Sequence, residues 1–227
     1  MTKPKHQLFK SMLISAGLLA GFGALGTAMV NGTHHATKHK IARNIQQKLL
    51  DNLNTVIPAD SYTNDLLHDT LTIGPDPLLG NHGQTTVYRA RNAQNPFAIA
   101  LNITAPDGYS GDIQLLLGIR ADGTVLGTRT LAHKETPGLG DKIDIEKSAW
   151  INSFQLKSLL SPQSDLWKVK KDGGNFDQFT GATITPRSVV NAVKNALLFF
   201  QYNQQLLFLS QTEYDTHKLA AANTKTE

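Results

Sequence analysis

At 227 residues, 40% of them hydrophobic, the chain holds enough apolar material for one domain of ordinary size plus additional segments. It contains no cysteine, which excludes disulfides, thiolate-bound metals and thiol nucleophiles. The formal charge is +4, but seven of the 22 Lys/Arg precede Asp51 where no acid occurs, and the remaining 15 face all 18 Asp/Glu. The body of the protein is therefore mildly acidic, and nucleic-acid binding is set aside in favour of membrane-flanking basic segments.

Residues 1–11 carry Lys3, Lys5 and Lys10 ahead of a stretch, residues 12–30, that lacks any charged side chain. Its length suits a helix crossing a bilayer core of about 30 Å. Gly17, Gly21, Gly23 and Gly26 are poor in a soluble helix and common in membrane helices. The length, and the lack of an Ala-x-Ala site, favour a retained anchor over a cleaved signal peptide. The leading lysines argue for a cytoplasmic N-terminus, while Lys38, Lys40 and Arg43 beyond the span offset them, so charge leaves the orientation open. His34, His35 and His39 have no carboxylate or cysteine nearby to complete a metal site and read as a basic juxtamembrane segment.

Residues 31–75 are expected to form an amphipathic helix, with Ile41, Ile45, Leu49, Leu50 and Leu53 at helical spacing, and then a linker. Gly74-Pro75-Asp76-Pro77 marks the entry to the main domain, residues 76–208. Strands are expected over 85–91, 97–104, 112–120 and 124–132, the last two joined by a tight turn at Asp122-Gly123. A short helix is expected over 148–156, with Trp150 and Phe154 on its apolar side. Leu166-Trp167-Lys168-Val169 alternates as a strand, and Asp172-Gly173-Gly174-Asn175 is a turn. Residues 209–227 read as a polar tail. These elements make an α+β protein: one transmembrane helix, then a single domain with an antiparallel sheet flanked by helices.

Two stretches carry chemistry. His133 to Lys142 mixes rigid Pro137 with permissive Gly138 and Gly140, a loop able to lay backbone N–H groups and Leu139 against a planar ring; taken alone it is also an ordinary turn. Asp177-Gln178-Phe179-Thr180-Gly181-Ala182-Thr183-Ile184-Thr185 leads into a helix marked by Val189, Val190, Val193, Ala196, Leu197 and Phe200. Thr185 is the expected N-cap and Pro186 the expected first helical residue. Such a terminus, with small Gly181 and Ala182 before it, suits a phosphate. Trp150 and Trp167 are large enough to stack on a planar ring, yet each reads first as core.

The order Asp, two residues, Thr-Gly-Ala-Thr, one residue, Thr resembles the flavinylation motif of FMN-binding domains, and Glu135-Thr136-Pro137-Gly138-Leu139-Gly140 resembles that family's second loop. With one N-terminal span, the pair is similar to the G subunit of the Rnf/Rsx ion-translocating electron-transport complexes; the C subunit of the sodium-pumping NADH:quinone reductase has a similar layout but is usually longer. The resemblance implies FMN joined through its phosphate to Thr183 by a flavin transferase that uses FAD. Thr180, Gly181, Ala182, Asp177, Thr185 and Glu135 to Gly140 would then surround the cofactor. It also implies a single-pass protein of the bacterial inner membrane, its domain on the periplasmic side, working with other subunits of such a complex. No Ser/His/Asp constellation, acid pair or dinucleotide fingerprint is seen, so Thr183 would be a tether, not a catalyst. A non-redox anchored binding module and an extracytoplasmic flavin reductase are the rival readings.

Overall fold

The structure is a computed structural model describing residues 5–223. The chain divides into two compact units, Met1–Leu49 and Leu50–Glu227. The first is helical: α1 runs unbroken over Lys5–Asn54, so the apolar span and the amphipathic stretch are one helix instead of two. Met12–His34 is long and apolar enough to cross a membrane, and none of its most apolar window is buried by protein. Ile41 and Ile45 remain exposed, and the amphipathic stripe meets protein in full only at Leu53, which is completely buried. The side chains of His35 and His39 lie outside the described residues, and among the described residues no cluster suits a metal ion.

The second unit is built on a five-stranded antiparallel meander in the order β1-β2-β3-β4-β5. The strands are β1 Thr70–Ile73, β2 Thr85–Asn92, β3 Asn95–Ala105, β4 Ile113–Arg120 and β5 Val125–Ala132. Alternation sends Ile99, Leu101 and Ile103 of β3 with Leu115, Leu117 and Ile119 of β4 into the main core. There they share one cluster with Val189, Val193, Leu197 and Phe200 of α2, Ile184–Asn203. On the other face, Ala100, Gly118 and Gly127 stand side by side across three strands. A Cβ on Gly118 would lie 2.4 Å from the Val56 carbonyl oxygen, and one on Gly127 would lie 2.9 Å from Val56 Cα. This small-residue row lets the segment after α1 cross the sheet in backbone contact.

Each hairpin has its own turn chemistry. Gly123 takes φ +84° between β4 and β5, and the Asp122 carboxylate accepts from Thr124 N–H at 3.0 Å. Ala93 and Gln94 join β2 to β3 with positive φ at both positions, the geometry of a primed hairpin turn, in residues that seldom announce one. Strand β1 lies within the expected linker, in a stretch whose Asp, Asn, Gly and Pro content reads as loop.

Two further expectations are corrected. Residues 166–169 form no strand: Trp167 and Val169 are buried and their neighbours exposed, but Val169 pairs only through a single bridge with Phe176. The alternation comes from seating Trp167 against Phe154 and Phe176, with centroids at 6.1 and 5.0 Å, between short 3-10 turns. The expected polar tail contains a helix, α3, Gln211–Asn223, while residues 224–227 lie outside the description. Gln211 places its carboxamide on the edge of β1, accepting from Thr72 N–H at 2.8 Å and donating to Thr72 carbonyl at 3.0 Å. Tyr214 is buried against the core. One capped strand edge and one aromatic hold α3, so no apolar stripe marks it.

Candidate functional site

The two motif-bearing stretches meet. A cleft of about 280 Å³ is lined by Glu135, Thr136, Leu139 and Gly140 from one loop and by Gly181, Ala182, Thr183 and Thr185 from the other, with Tyr109 and Ile184 completing it. Strand β5 delivers the first loop and α2 begins within the second. In the first, Leu139 and Gly140 N–H both donate to Thr136 carbonyl, at 3.1 and 3.0 Å, closing a turn in which Gly138 takes φ +76°. In the second, Ala182 N–H donates to Phe179 carbonyl at 3.1 Å, and Gly181 takes φ +84° with Leu139 Cδ2 3.6 Å from where its Cβ would stand. A side chain at Gly181 would be strained by the backbone and would lean on the opposite wall of the cleft.

Helix α2 starts earlier than expected. Thr183, not Thr185, is the N-cap; its carbonyl accepts from Arg187 N–H at 3.2 Å, and its hydroxyl makes no capping bond. Pro186 is the third helical residue, where its missing N–H has no intrahelical acceptor to lose. Thr185 is fully buried and donates its hydroxyl to Glu135 Oε2. The first turn has no acidic side chain of its own. Backbone N–H groups of Ile184 and Thr185 therefore stand at the positive end of α2 without an intrahelical partner.

Glu135 is the buried carboxylate of the site. Oε1 accepts from Ser110 N–H at 2.8 Å and Oε2 from Tyr109 N–H at 3.3 Å, in addition to the Thr185 hydroxyl. Its own N–H donates to His133 Nδ1 at 3.0 Å, and His133 Nε2 lies 3.0 Å from Asp144 Oδ2. That bonding assigns the Nε2–H tautomer.

Other expected site residues stand apart. Asp177 is exposed, paired to Lys170 Nζ at 2.6 Å, and its carbonyl accepts from Trp150 Nε1 at 2.8 Å. Thr180 is exposed, and Pro137 and Gly138 shape the loop without lining the cleft. Neither tryptophan lines it: Trp167 is core, and Trp150 packs edge-on against Phe154 and Phe179 at 5.4 and 5.1 Å. Arg187 at the start of α2 binds Asp172 through two bonds of 2.6 and 2.9 Å and holds its carboxyl below the usual carboxylate range, tying the Gly173 turn to the helix. Tyr109, 67% exposed on the cleft rim, escapes sequence reasoning because it belongs to neither motif. The Gly-Tyr-Ser-Gly turn around it was its one available signal.

Comparison with known proteins places the cleft within a known domain family. Residues 108–198, which include every cleft residue, match the FMN-binding domain family, and residues 1–56 match the RnfG N-terminal region. The chain is similar to the G subunit of the ion-translocating oxidoreductase complex of Pseudoalteromonas atlantica, 42% identical over 90% of this chain and 95% of that protein. It is likewise similar to the G subunit from Shewanella baltica, 47% identical over 88% of this chain and 94% of that protein. With the G subunit from Yersinia pestis it shares 52% identity over 79% of this chain and 84% of the relative.

Proposed function

The chain belongs to the G-subunit family of ion-translocating oxidoreductase complexes and carries its FMN-binding domain, and from that premise we propose that it is a membrane-anchored electron carrier holding FMN as a phosphoester of Thr183. The observation that carries this reading is the free capping position of Thr183. Its hydroxyl makes no cap bond, and the residue lines the cleft at the start of a helix whose first turn has no acid.

These residues fit the group. The α2 N-terminus would stabilise the retained phosphodiester charge by about 0.3–1 kcal/mol if exposed and up to about 2 kcal/mol if partly buried. Leu139, Ile184 and Tyr109 add apolar surface beside it, each at least 44% exposed. The cleft, about 280 Å³, falls just short of the roughly 300–1,000 Å³ of small-molecule sites, so these walls cover part of a mononucleotide and leave the rest for a neighbouring surface. When bound, the flavin supplies the electron-transfer chemistry, and the protein supplies binding, orientation and electrostatics.

In maturation, Thr183 Oγ1 forms a bond to the phosphorus of the FMN half of FAD on a flavin transferase. The P–O bond to the adenylate breaks, AMP leaves, and the hydroxyl proton passes to the transferase or to water. Thr183 then acts as a tether, and no separate catalytic site in this chain is invoked. The domain works beside other membrane subunits of the complex, anchored through α1 in the inner membrane and lying on the periplasmic side, where a cofactor that cannot diffuse away is an advantage.

The test is intact mass with in-gel flavin fluorescence on denatured protein co-expressed with a flavin transferase. Wild type gains the mass of FMN minus water, and Thr183→Ala gains nothing while keeping its fold. An adduct that persists in Thr183→Ala, or none in wild type beside a modified control substrate, overturns the assignment.

A further inference from the structure

Glu135 lies in the loop expected to face the cofactor and lines the cleft, and its carboxylate is taken up by donors of the protein itself. Glu135 is 4% exposed, and its carboxylate accepts from Ser110 N–H, Tyr109 N–H and the Thr185 hydroxyl. These donors belong to the turn after β3, residues 108–111, and to the first turn of α2. We propose that Glu135 is a positioning residue for Thr183: one buried carboxylate clasps the 108–111 turn and the α2 N-terminus to the 135–140 loop, so that Thr183 meets the flavin donor in a preset orientation. The proposal rests on Thr183 being the acceptor.

The glycines around the clasp support it. A Cβ on Gly108 would lie 2.2 Å from the Gly111 carbonyl oxygen and 3.0 Å from Glu135 Oε1. One on Gly140 would lie 3.0 Å from Glu135 Oε2 and 2.9 Å from Thr185 Oγ1. A side chain at Gly140 would press on the carboxylate and its Thr185 donor, and one at Gly108 would first displace the Gly111 carbonyl of the turn that carries the other two donors. From behind, the loop is held by the Glu135 N–H bond to His133, which is itself paired to Asp144. Thr183 has no cap bond, so its orientation follows that of the α2 backbone, and the buried side chain anchored two residues on is Thr185. The chemistry favours a carboxylate, because the two backbone N–H groups can only donate, one to each oxygen, and the Thr185 hydroxyl donates here as well. A glutamine of nearly the same volume presents an NH2 group to one of them and loses at least one of the three bonds.

The experiment uses the full chain in detergent, purified without modification, with a flavin transferase and FAD, and follows initial rates of flavin transfer against chain concentration. Glu135→Gln and Thr185→Val each lower kcat about tenfold or more, with KM for the chain unchanged within about twofold, because misplacement of an acceptor acts on the chemical step. Thr185→Ser, which keeps the donor, restores most of the rate lost in Thr185→Val. Wild-type kcat in folded Glu135→Gln and Thr185→Val overturns the proposal, and so does a rise in KM alone, which would make Glu135 part of the surface that docks the transferase. Should Glu135→Gln not fold, Thr185→Val with its Ser rescue decides. Absence of an adduct in wild type, or its presence in Thr183→Ala, overturns the acceptor assignment together with this proposal; a normal wild-type adduct with unaffected variants overturns the proposal only.

Discussion

In α2, Val189, Val190, Val193, Ala196, Leu197 and Phe200 are all buried, whereas Leu18, Leu19, Phe22 and Leu25 of α1 are 60, 77, 72 and 64% exposed. Both stretches are apolar and both are helical. They differ in distribution: α2 keeps Asn191, Gln201 and Tyr202 on its outer side and turns one stripe to the sheet, while Met12–Val30 is apolar on every side and carries no charge. A contiguous exposed apolar surface of that kind calls for another apolar medium, and a helix of this length meets it in a bilayer. Apolar content alone does not settle where a helix resides; the angular spread of the apolar residues does.

The comparison can be broken most severely by one charge in each helix. Val193→Asp puts an unpaired carboxylate into the main core and is expected to destabilise the domain by about 4 kcal/mol or more, seen as loss of cooperative thermal unfolding. Leu19→Asp should leave domain unfolding unchanged and weaken membrane retention, by about 2.5–3.5 kcal/mol on insertion scales, seen in the fraction released by alkaline washing. Equal effects of the two on domain unfolding would abolish the distinction.

Glycines provide a finer contrast. Gly118→Ala drives a Cβ to 2.4 Å from the Val56 carbonyl oxygen. It is expected to cost about 1–3 kcal/mol in denaturant unfolding. Gly17 in α1 has nothing within 4 Å of its would-be Cβ, so Gly17→Ala should leave domain stability as it is. A neutral Gly118→Ala would mean that the segment after α1 does not pack on the sheet at this row.

The smallest effect lies at the β4–β5 turn. Arg120, bonded to Asp122 at 2.6 Å, holds the Asp122 carboxyl down to about 2. A carboxylate depressed on folding stabilises the fold above its unfolded value of about 3.9, and that contribution disappears as pH falls through about 2. The pair is half-exposed and screened by water, so Asp122→Asn should remove less than about 1 kcal/mol at pH 6. The variant should also flatten the loss of stability between pH 4 and pH 2. An unchanged acid limb would assign that loss to other carboxylates.

Much of this was legible in the sequence because it is local. Four strands, the Asp122-Gly123 turn, the apolar stripe of α2 and the uncharged stretch of α1 depend on residues near one another in the chain, and the two flavin-family motifs rest on their own residue order. Strand β1 was missed because four residues set among turn formers carry no usable period, and α3 because a docked carboxamide and one tyrosine leave none. The α2 cap was misplaced by two residues: Thr183 and Thr185 are equally good caps by type, and the choice depends on Glu135, 50 positions away, drawing the Thr185 hydroxyl inward. Tyr109 was missed because it joins the cleft only when the turn after β3 folds onto Glu135.

The sequence by itself determined α1, α2, four of the five strands and the two motif-bearing loops, since hydrophobic period, turn residues and a Thr-Gly-Ala-Thr order act within a few residues of themselves. Only the tertiary structure decided which threonine caps α2, which residues reach the cleft, and which donors the Glu135 carboxylate takes up. Those outcomes depend on donors and acceptors brought together from distant segments, and a buried carboxylate takes whichever partners the fold brings to it.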